Sequence, residues 1–515
     1  MTVQTSMQSN PSGAASFTIA LANEEATRRL AVDLANLLAP GDFVALAGDL
    51  GAGKTTLVRA MIAHLAGGAE IEVPSPTFTL VQTYDLPQFA LVHADLYRLS
   101  GPDELAEIGI NDLPGAVVVM EWPDRAGDTL PADRIDVALA LGSEPELERR
   151  VAQIGGHGAA AARVAHLAAL YRFLHAEGYE AAERKRIAGD ASSRSYERLT
   201  ADGRSFIVMN WPAKPDGPPV KRGLPYSAIA HLAEDVRPFV AMAQGLRERG
   251  FSAPKIYSAD CDAGLVVLED LGTELVVAGN PPKPVIERYG RATDLLVALH
   301  GIDLPPVLPI GPQVAYALPS YDLDAFLIEA ELLVDWYLPH RGGAASAEAR
   351  AHFGSLWRDA LRPVLDAPKT WVLRDFHSPN VMWLAEREGI AKIGLLDFQD
   401  AVLGPAAYDL ASLLQDARVD MPEEAEIALF GRYVGARRQV DPGFDAIAFA
   451  RLYATLAVQR ATKILGIFAR LDRRDHKSQY LRHMPRVWHY LRRALAHPAL
   501  DALDSWYLRN VPPPE

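Results

Sequence analysis

The chain is poor in cysteine: Cys261 is the only one among 515 residues, which excludes an internal disulfide and any cysteine-rich metal cluster. A positive excess is also missing. Lys and Arg number 51 against 65 Asp and Glu, a formal net charge of −14, so no global positive field exists to hold nucleic acid by counterion release. Any RNA contact must be local or shared with a partner. No apolar run approaches the roughly 18 residues that a membrane-spanning helix requires. Met1 to Ser16 carry neither the basic start nor the apolar stretch of a signal peptide, so the cytoplasm is the expected compartment and no membrane contact is expected. Internal repeats are lacking, and the Pro-rich stretch 212–225 reads as a loop. What remains is an ordinary globular composition, 49% hydrophobic and 23% charged, at a length that predicts several domains of roughly 100–200 residues each.

The pattern along the chain divides it in two. After a polar tail over 1–16, expected to be disordered, Phe17–Leu21 reads as a strand, and Asn23 as the N-cap of a helix ending near Pro40. Apolar strands follow at Phe43–Ala47, Thr77–Tyr84, Ala90–Ala94 and Val117–Met120, an α/β pattern over 17–145. The Gly- and Ala-rich stretch 146–163 shows little β signal and is expected to be a linker. From 164 to 510 a two-lobed α+β body is expected. It has paired strands over Ile187–Leu199 and Ser205–Met209, a long helix over Tyr226–Arg249 and a strand at Leu265–Leu268. Helices predominate beyond Val285, interrupted by Trp371–Leu373 and Ile393–Leu396 as a β-ribbon.

The first constellation is GDLGAGKT, Gly48 to Thr55, which fits G-x-x-x-x-G-K-[ST] between an apolar strand and an amphipathic helix. Gly48, Gly51, Ala52 and Gly53 let backbone N–H groups close on a β-phosphate, Lys54 bridges phosphates, and the Thr55 hydroxyl, with Thr56 beside it, can serve Mg²⁺. ATP or GTP is implied. Such sites also need an acid at the end of a buried strand, and Asp95 and Glu121 occupy two such ends. Together with Ser75–Phe78, His93–Arg98, Glu107–Asp112 and Glu121–Pro123, these elements resemble the TsaE family in order and spacing over about 17–145. That family is the ATPase subunit of the bacterial machinery that installs threonylcarbamoyladenosine on tRNA. The resemblance implies that Lys54 and Thr55 bind nucleotide and Mg²⁺, that Asp95 and Glu121 serve metal and hydrolysis, and that Ser75–Phe78 is a switch-like loop. It also implies TsaB/TsaD-type transferase subunits as partners, with tRNA met indirectly through them.

The second constellation is Arg374-Asp375-Phe376-His377-Ser378-Pro379-Asn380, with Leu395-Leu396-Asp397 seventeen residues beyond Asn380. Asp followed five residues later by Asn, then by an acid ending an apolar strand, is the spacing of a kinase catalytic loop. In such a loop Asp375 accepts the acceptor hydroxyl's proton, while Asn380 and Asp397 hold Mg²⁺ against ATP. His377 fits either a loop-bracing or a catalytic role. The pattern resembles the aminoglycoside phosphotransferase superfamily. More closely, Gly189–Tyr196, Leu268–Gly272, Leu299-His300, Leu396–Pro405 and Tyr408–Leu410 resemble its AmgK type over roughly 165–510. Those kinases phosphorylate the anomeric hydroxyl of N-acetylmuramate and N-acetylglucosamine in cell-wall recycling.

One departure stands out: Ser205–Asn210 offers no Lys where kinases of this body carry a phosphate-pairing one. Ser192, Ser193 and Arg194 in the first hairpin are the candidate substitutes, hydroxyls over the phosphates with Arg194 as the cation. Glu269 lies in the expected hinge Leu268–Leu271, where backbone groups would meet adenine. Tyr321, Asp322, Glu329, Trp336 and Tyr337 are candidates for an acceptor wall, for each of which core packing is the default explanation. Alternatives remain for the second half, a kinase of another small alcohol such as an aminoglycoside or choline, or a pseudokinase scaffold. The first half also reads as a nucleotide-gated assembly module.

Overall fold

Phe43-Val-Ala-Leu-Ala is apolar throughout, as a strand covered on both faces in a parallel sheet must be, and Phe43 to Leu46 are indeed buried. In the computed structural model, which describes residues 15–67, 69, 71–110, 112–142, 149–187, 194–213, 217–311 and 313–514, the chain forms two units. One is Met1–Arg184 with Leu199–Arg204, the other Lys185–Arg198 with Ser205–Glu515.

The first unit is built on a seven-stranded sheet of β1 (Ala15–Leu21), β2 (Phe43–Gly48), β3 (Val81–Asp85), β4 (Ala90–Asp95), β5 (Val117–Glu121), β6 (Arg134–Leu141) and β7 (Arg150–His157). Its spatial order is β1-β7-β6-β2-β5-β4-β3. The centre, β6-β2-β5-β4, is parallel, and the flanking pairs are antiparallel. Helix α1 (Glu24–Leu37) starts at Asn23, whose side chain accepts from the Ala26 N–H at 3.0 Å. Helix α2 (Lys54–Leu65) leaves the end of β2 and buries Leu57, Val58, Met61 and Ile62.

The domain expectations need correction at both ends of this unit. Residues 1–14 lie outside the described residues, whereas Ala15 and Ser16, assigned to the tail, already pair with Gly156 and Gly155 in the sheet. The stretch 146–163 is not a linker where it is described. Its residues Arg150–His157 are β7, which joins β1 to β6. Helix α3 (Ala161–Ala176) then packs on β1 and β7. Arg163 binds both Asp42 oxygens at 2.6 and 2.7 Å, Tyr171 donates to Asp33 at 2.6 Å, and Arg184 pairs with the same Asp33 at 2.9 Å. These bonds bind residues 161–184 to the first unit, so its boundary falls about twenty residues beyond 163.

A five-stranded sheet, most of whose residues belong to the second unit, consists of β8 (Glu183–Ile187), β9 (Ser195–Ala201), β10 (Arg204–Asn210), β11 (Ile256–Asp260) and β12 (Leu265–Glu269), in the order β11-β12-β10-β9-β8. The single helix expected over Tyr226–Arg249 is broken into Tyr226–Ile229 and α4 (Arg237–Glu248), with His231 in the left-handed region at φ 53°. The rest is largely helical around one apolar core that includes Trp357, Trp371, Tyr408 and Leu465. Trp371–Leu373 and Ile393–Leu396 do not pair with one another. Lys369–Val372 pairs with Val402–Pro405, and Ile393–Leu395 with Val381–Trp383, giving two ribbons on either side of the segment 373–380.

Candidate active sites

Gly48 ends β2 at φ 138°, and a Cβ there would lie 2.3 Å from the Leu139 carbonyl oxygen of β6. Only glycine lets the loop leave the sheet at this point. Gly51 and Gly53 also take positive φ, and Gly53 caps α2. Gly48→Ala is therefore expected to spread β2 from β6 and destabilise the first unit by about 1–3 kcal/mol, read as a lower midpoint for that unit in thermal unfolding. Lys54 is buried and donates to the Gly48 and Asp49 carbonyls at 2.8 and 3.0 Å, with its ammonium 4.0 Å from the Trp122 ring centroid. Burial holds its pKa below the ordinary lysine value, against the opposing charges of Glu121, Asp95 and Asp49.

Asp95 and Glu121 end neighbouring parallel strands and are register partners, and Glu121 is also opposite Leu46 of β2. The acids thus stand beside the glycine loop at the carboxyl ends of the strands, the position where open α/β sheets bind ligands. Thr55 donates to Glu121 at 3.1 Å, and Thr77 to Asp95 at 2.8 Å. Ser75 joins Thr77 at 2.7 Å, so the expected switch loop is hydrogen-bonded to one of the acids. His93, wholly buried, places Nε2 2.9 Å from Glu121. A carboxylate only accepts, so Nε2 carries the proton. Gly48, Gly51, Ala52, Gly53, Lys54, Thr55, Asp95 and Glu121 are brought together, and Thr56 follows them on α2.

In the second unit Arg374 is buried at φ 63°, and its turn is held by Asp409, which accepts the Leu373 and Arg374 N–H groups at 2.7 and 3.0 Å. Asp416 does the same for Ser378 at 2.9 Å. Just beyond the second anchor, Asn380 Nδ2 donates to the Asp375 carbonyl at 3.0 Å and to Asp397 at 3.3 Å. Asp375, Asn380 and Asp397 therefore converge. Burial pushes the Asp375 carboxyl up, but His377, 3.7 Å away, with Lys463 and Arg374, holds it well below the usual carboxylate range. The Arg374 guanidinium contacts the fully buried Glu329, which also receives Lys463 at 2.7 Å, Tyr321 at 2.6 Å and Gln459 at 3.0 Å.

Ser192 and Ser193 lie outside the described residues. Arg194 binds Asp397 at 2.7 Å and lies 4.8 Å over the Trp211 ring, so this cation stands at the acid that the sequence offers as a metal ligand. Met209, where a lysine was sought, is fully buried in the apolar core. The Glu269 side chain is turned to Arg387 at 2.7 Å and Arg247 at 3.3 Å, and its N–H serves Lys255, so these groups brace β12. Of the acceptor-wall candidates, Tyr321 and Glu329 belong to the buried ion network, and Tyr337 donates to the Pro512 carbonyl. Asp322 caps the helix Leu323–Leu332 and binds His231 at 3.0 Å. The anchoring roles of Asp409, Asp416 and His93 were not read from sequence. Asp409 and His93 stood inside quoted motifs, but nothing local assigned them a hydrogen bond.

Comparison with known proteins agrees with this division. Residues 21–151 match the model of threonylcarbamoyl adenosine biosynthesis protein TsaE, and residues 183–449 that of the phosphotransferase enzyme family. The chain is 40% identical over 359 residues to the N-acetylmuramate/N-acetylglucosamine kinase of Caulobacter vibrioides, covering 67% of this chain and 96% of that protein. It is 34% identical to the protein of the same name from Pseudomonas aeruginosa, over 60% of this chain and 82% of the relative. At the other end it is 43% identical over 122 residues to the tRNA threonylcarbamoyladenosine biosynthesis protein TsaE of Rickettsia felis, 24% of this chain and 71% of that one. Among the described residues, no helix is long and apolar enough to cross a membrane.

Proposed function

The chain belongs to the TsaE family through its first unit and to the phosphotransferase enzyme family through its second, and from that premise we propose two ATP-dependent activities on one polypeptide. The first unit is the ATPase of the complex that forms threonylcarbamoyladenosine on tRNA, acting with TsaB/TsaD-type transferase subunits. The second phosphorylates the anomeric hydroxyl of N-acetylmuramate or N-acetylglucosamine. The observation that carries the kinase reading is the convergence of Asp375, Asn380 and Asp397 on a loop anchored by Asp409.

In the kinase, the anomeric oxygen attacks the γ-phosphorus, its proton passes to the Asp375 carboxylate, and the bond from the γ-phosphorus to the β,γ-bridging oxygen breaks to release ADP. The transition state is loose, so positioning and charge stabilisation dominate. Asn380 and Asp397 would hold Mg²⁺, and Thr55 with Asp95 or Glu121 would hold it in the first unit. All offer the hard oxygen donors that this ion prefers. Among the described residues no three His, Cys, Asp or Glu side chains form a metal cluster, as suits an ion held partly by substrate phosphates. Bound there, Mg²⁺ supplies charge neutralisation on the phosphates. Arg194, engaged with Asp397 at 2.7 Å, stands in for the missing strand lysine. In the first unit Glu121, fixed between Thr55 and His93, would orient the attacking water.

The test is ADP production by the full-length protein with Mg-ATP and N-acetylmuramate, N-acetylglucosamine, an aminoglycoside or choline. Turnover that depends on an amino sugar supports the kinase. Silence with every acceptor, while nucleotide still binds, favours a scaffold. Lys54→Ala is expected to reduce tRNA modification, assayed with the transferase subunits, by about 100-fold or more through lost charge-assisted phosphate bonds. Sugar-dependent ADP production by the same variant is expected to be unchanged. Loss of both activities would instead mean that the two units are coupled.

A further inference from the structure

The break in the helix between Ile229 and Arg237 opens a cavity. The volume, about 440 Å³, lies between residues 227–238 and the hairpin of Val307–Gly311 and Val314–Ala317. That is within the range of roughly 300–1,000 Å³ of small-molecule sites. The segment that lines it is hydrogen-bonded to the catalytic loop. The Ala233 N–H donates to Asp400 at 2.7 Å, and the Arg374 guanidinium donates to the Ala230 carbonyl at 2.9 Å and approaches that of His231 at 3.4 Å. Residues 231–233 therefore border the cavity, and the carbonyls of Ala230 and His231 hold Arg374, the residue immediately before Asp375.

The polar lining falls into two sets. His231 is engaged by Asp322 at 3.0 Å, and Arg237 by Asp235 at 2.7 Å and Asp262 at 2.5 Å. By contrast, the side chains of Ser227, Glu234 and Tyr316 also line the cavity and have no hydrogen bond to another described residue. Burial, with Asp400 and Asp235 nearby, pushes the Tyr316 phenol up to about 12, so it remains a donor at neutral pH. The open groups are one carboxylate acceptor and two hydroxyls, which match neutral hydroxyl and amide groups. Ile310, Val314 and Pro238 supply apolar contact. A quaternary ammonium prefers a cage of aromatic faces such as Trp, Tyr and Phe, and of these the lining holds Tyr316 alone.

We propose that this cavity is the acceptor pocket, taking one hexosamine whose ring hydroxyls are read by Ser227, Glu234 and Tyr316. The proposal rests on the amino-sugar kinase reading and adds where the sugar sits. It is tested on the full-length protein by steady-state kinetics with N-acetylglucosamine and N-acetylmuramate. Tyr316→Phe and Glu234→Ala are each expected to raise the sugar KM about tenfold, one hydrogen bond's worth or slightly more, with the ATP KM within about twofold of wild type. Ala315→Trp, at an exposed position of the hairpin lining, puts an indole in the cavity. It is expected to cut sugar turnover about 100-fold or more, while ATP still raises the thermal midpoint as it does in wild type. Wild-type sugar KM in all three variants overturns the pocket and leaves the kinase reading intact. A wild-type protein that phosphorylates no amino sugar overturns both.

Discussion

Asp375→Asn is expected to lower kcat for sugar phosphorylation by about 10²–10⁴-fold, the usual contribution of a positioned general base. The substitution keeps the side chain's shape and removes its capacity to take the hydroxyl proton. The loop does not depend on that carboxylate. Asp409 and Asp416 hold its two ends, and Asn380 binds the Asp375 backbone carbonyl. The variant should therefore unfold at the wild-type midpoint and bind ATP normally, so the loss isolates the chemical step. Because neighbouring positive groups hold the Asp375 carboxyl below its ordinary range, it is already ionised at neutral pH. The wild-type rate should accordingly show no acid limb attributable to this group until well below pH 4. A variant that retains kcat would overturn the assignment, whereas a limb near neutrality that vanishes in the variant would overturn the ionised ground state and leave Asp375 as the base.

The second large effect concerns stability. Glu329→Ala is expected to destabilise the second unit by about 3–5 kcal/mol, because it leaves buried cations without a counter-charge. Glu329 is fully buried and joins Arg374, Lys463, Tyr321 and Gln459. Replacing Lys463 by Met in the same chain should recover part of the loss, since one uncompensated charge is then removed. Burial opposes ionisation of Glu329, yet Lys463 and Arg374 win and lower its pKa from 4.5 to about 2. A depressed folded-state pKa contributes stability that is present above the unfolded value and fades as pH falls toward the folded one. The window is thus about pH 4.5 down to about 2, and the contribution is on the order of 3 kcal/mol. Denaturant midpoints measured across that window should fall in the wild type and much less in the Glu329→Gln, Lys463→Met double variant.

Both phosphate-handling motifs were legible because their chemistry is written in consecutive residues. A strand, a glycine loop and a helix follow one another from Phe43 to Leu65, and seven residues from Arg374 to Asn380 set a kinase loop. What escaped is non-local. β7, RVAQIGGH, reads as a Gly-rich linker, yet Gly156 is required because a Cβ there would lie 2.7 Å from Val164 of α3. Composition that signals a loop in isolation signals close packing here. The two ribbons were mispaired because strand partners are chosen by the whole fold. The kink at His231 carries no Gly or Pro at its centre. It is stabilised by Asp322, far along the chain, and by Arg374. The Arg194–Asp397 and Glu329–Arg374 pairs span 203 and 45 residues, beyond any local signal.

The place of β7 decides how this polypeptide can be divided. A fragment ending at residue 145, where the composition changes, would keep the phosphate loop and lose the strand that joins β1 to β6. β1 would have no neighbour, and β6 would present seven or eight unpaired backbone groups along an open edge, a template for intermolecular strand addition and aggregation. An autonomous ATPase fragment should instead run through Arg184, keeping α3 and the Asp33 bonds to Tyr171 and Arg184. The shorter piece is expected in inclusion bodies and the longer one in the supernatant.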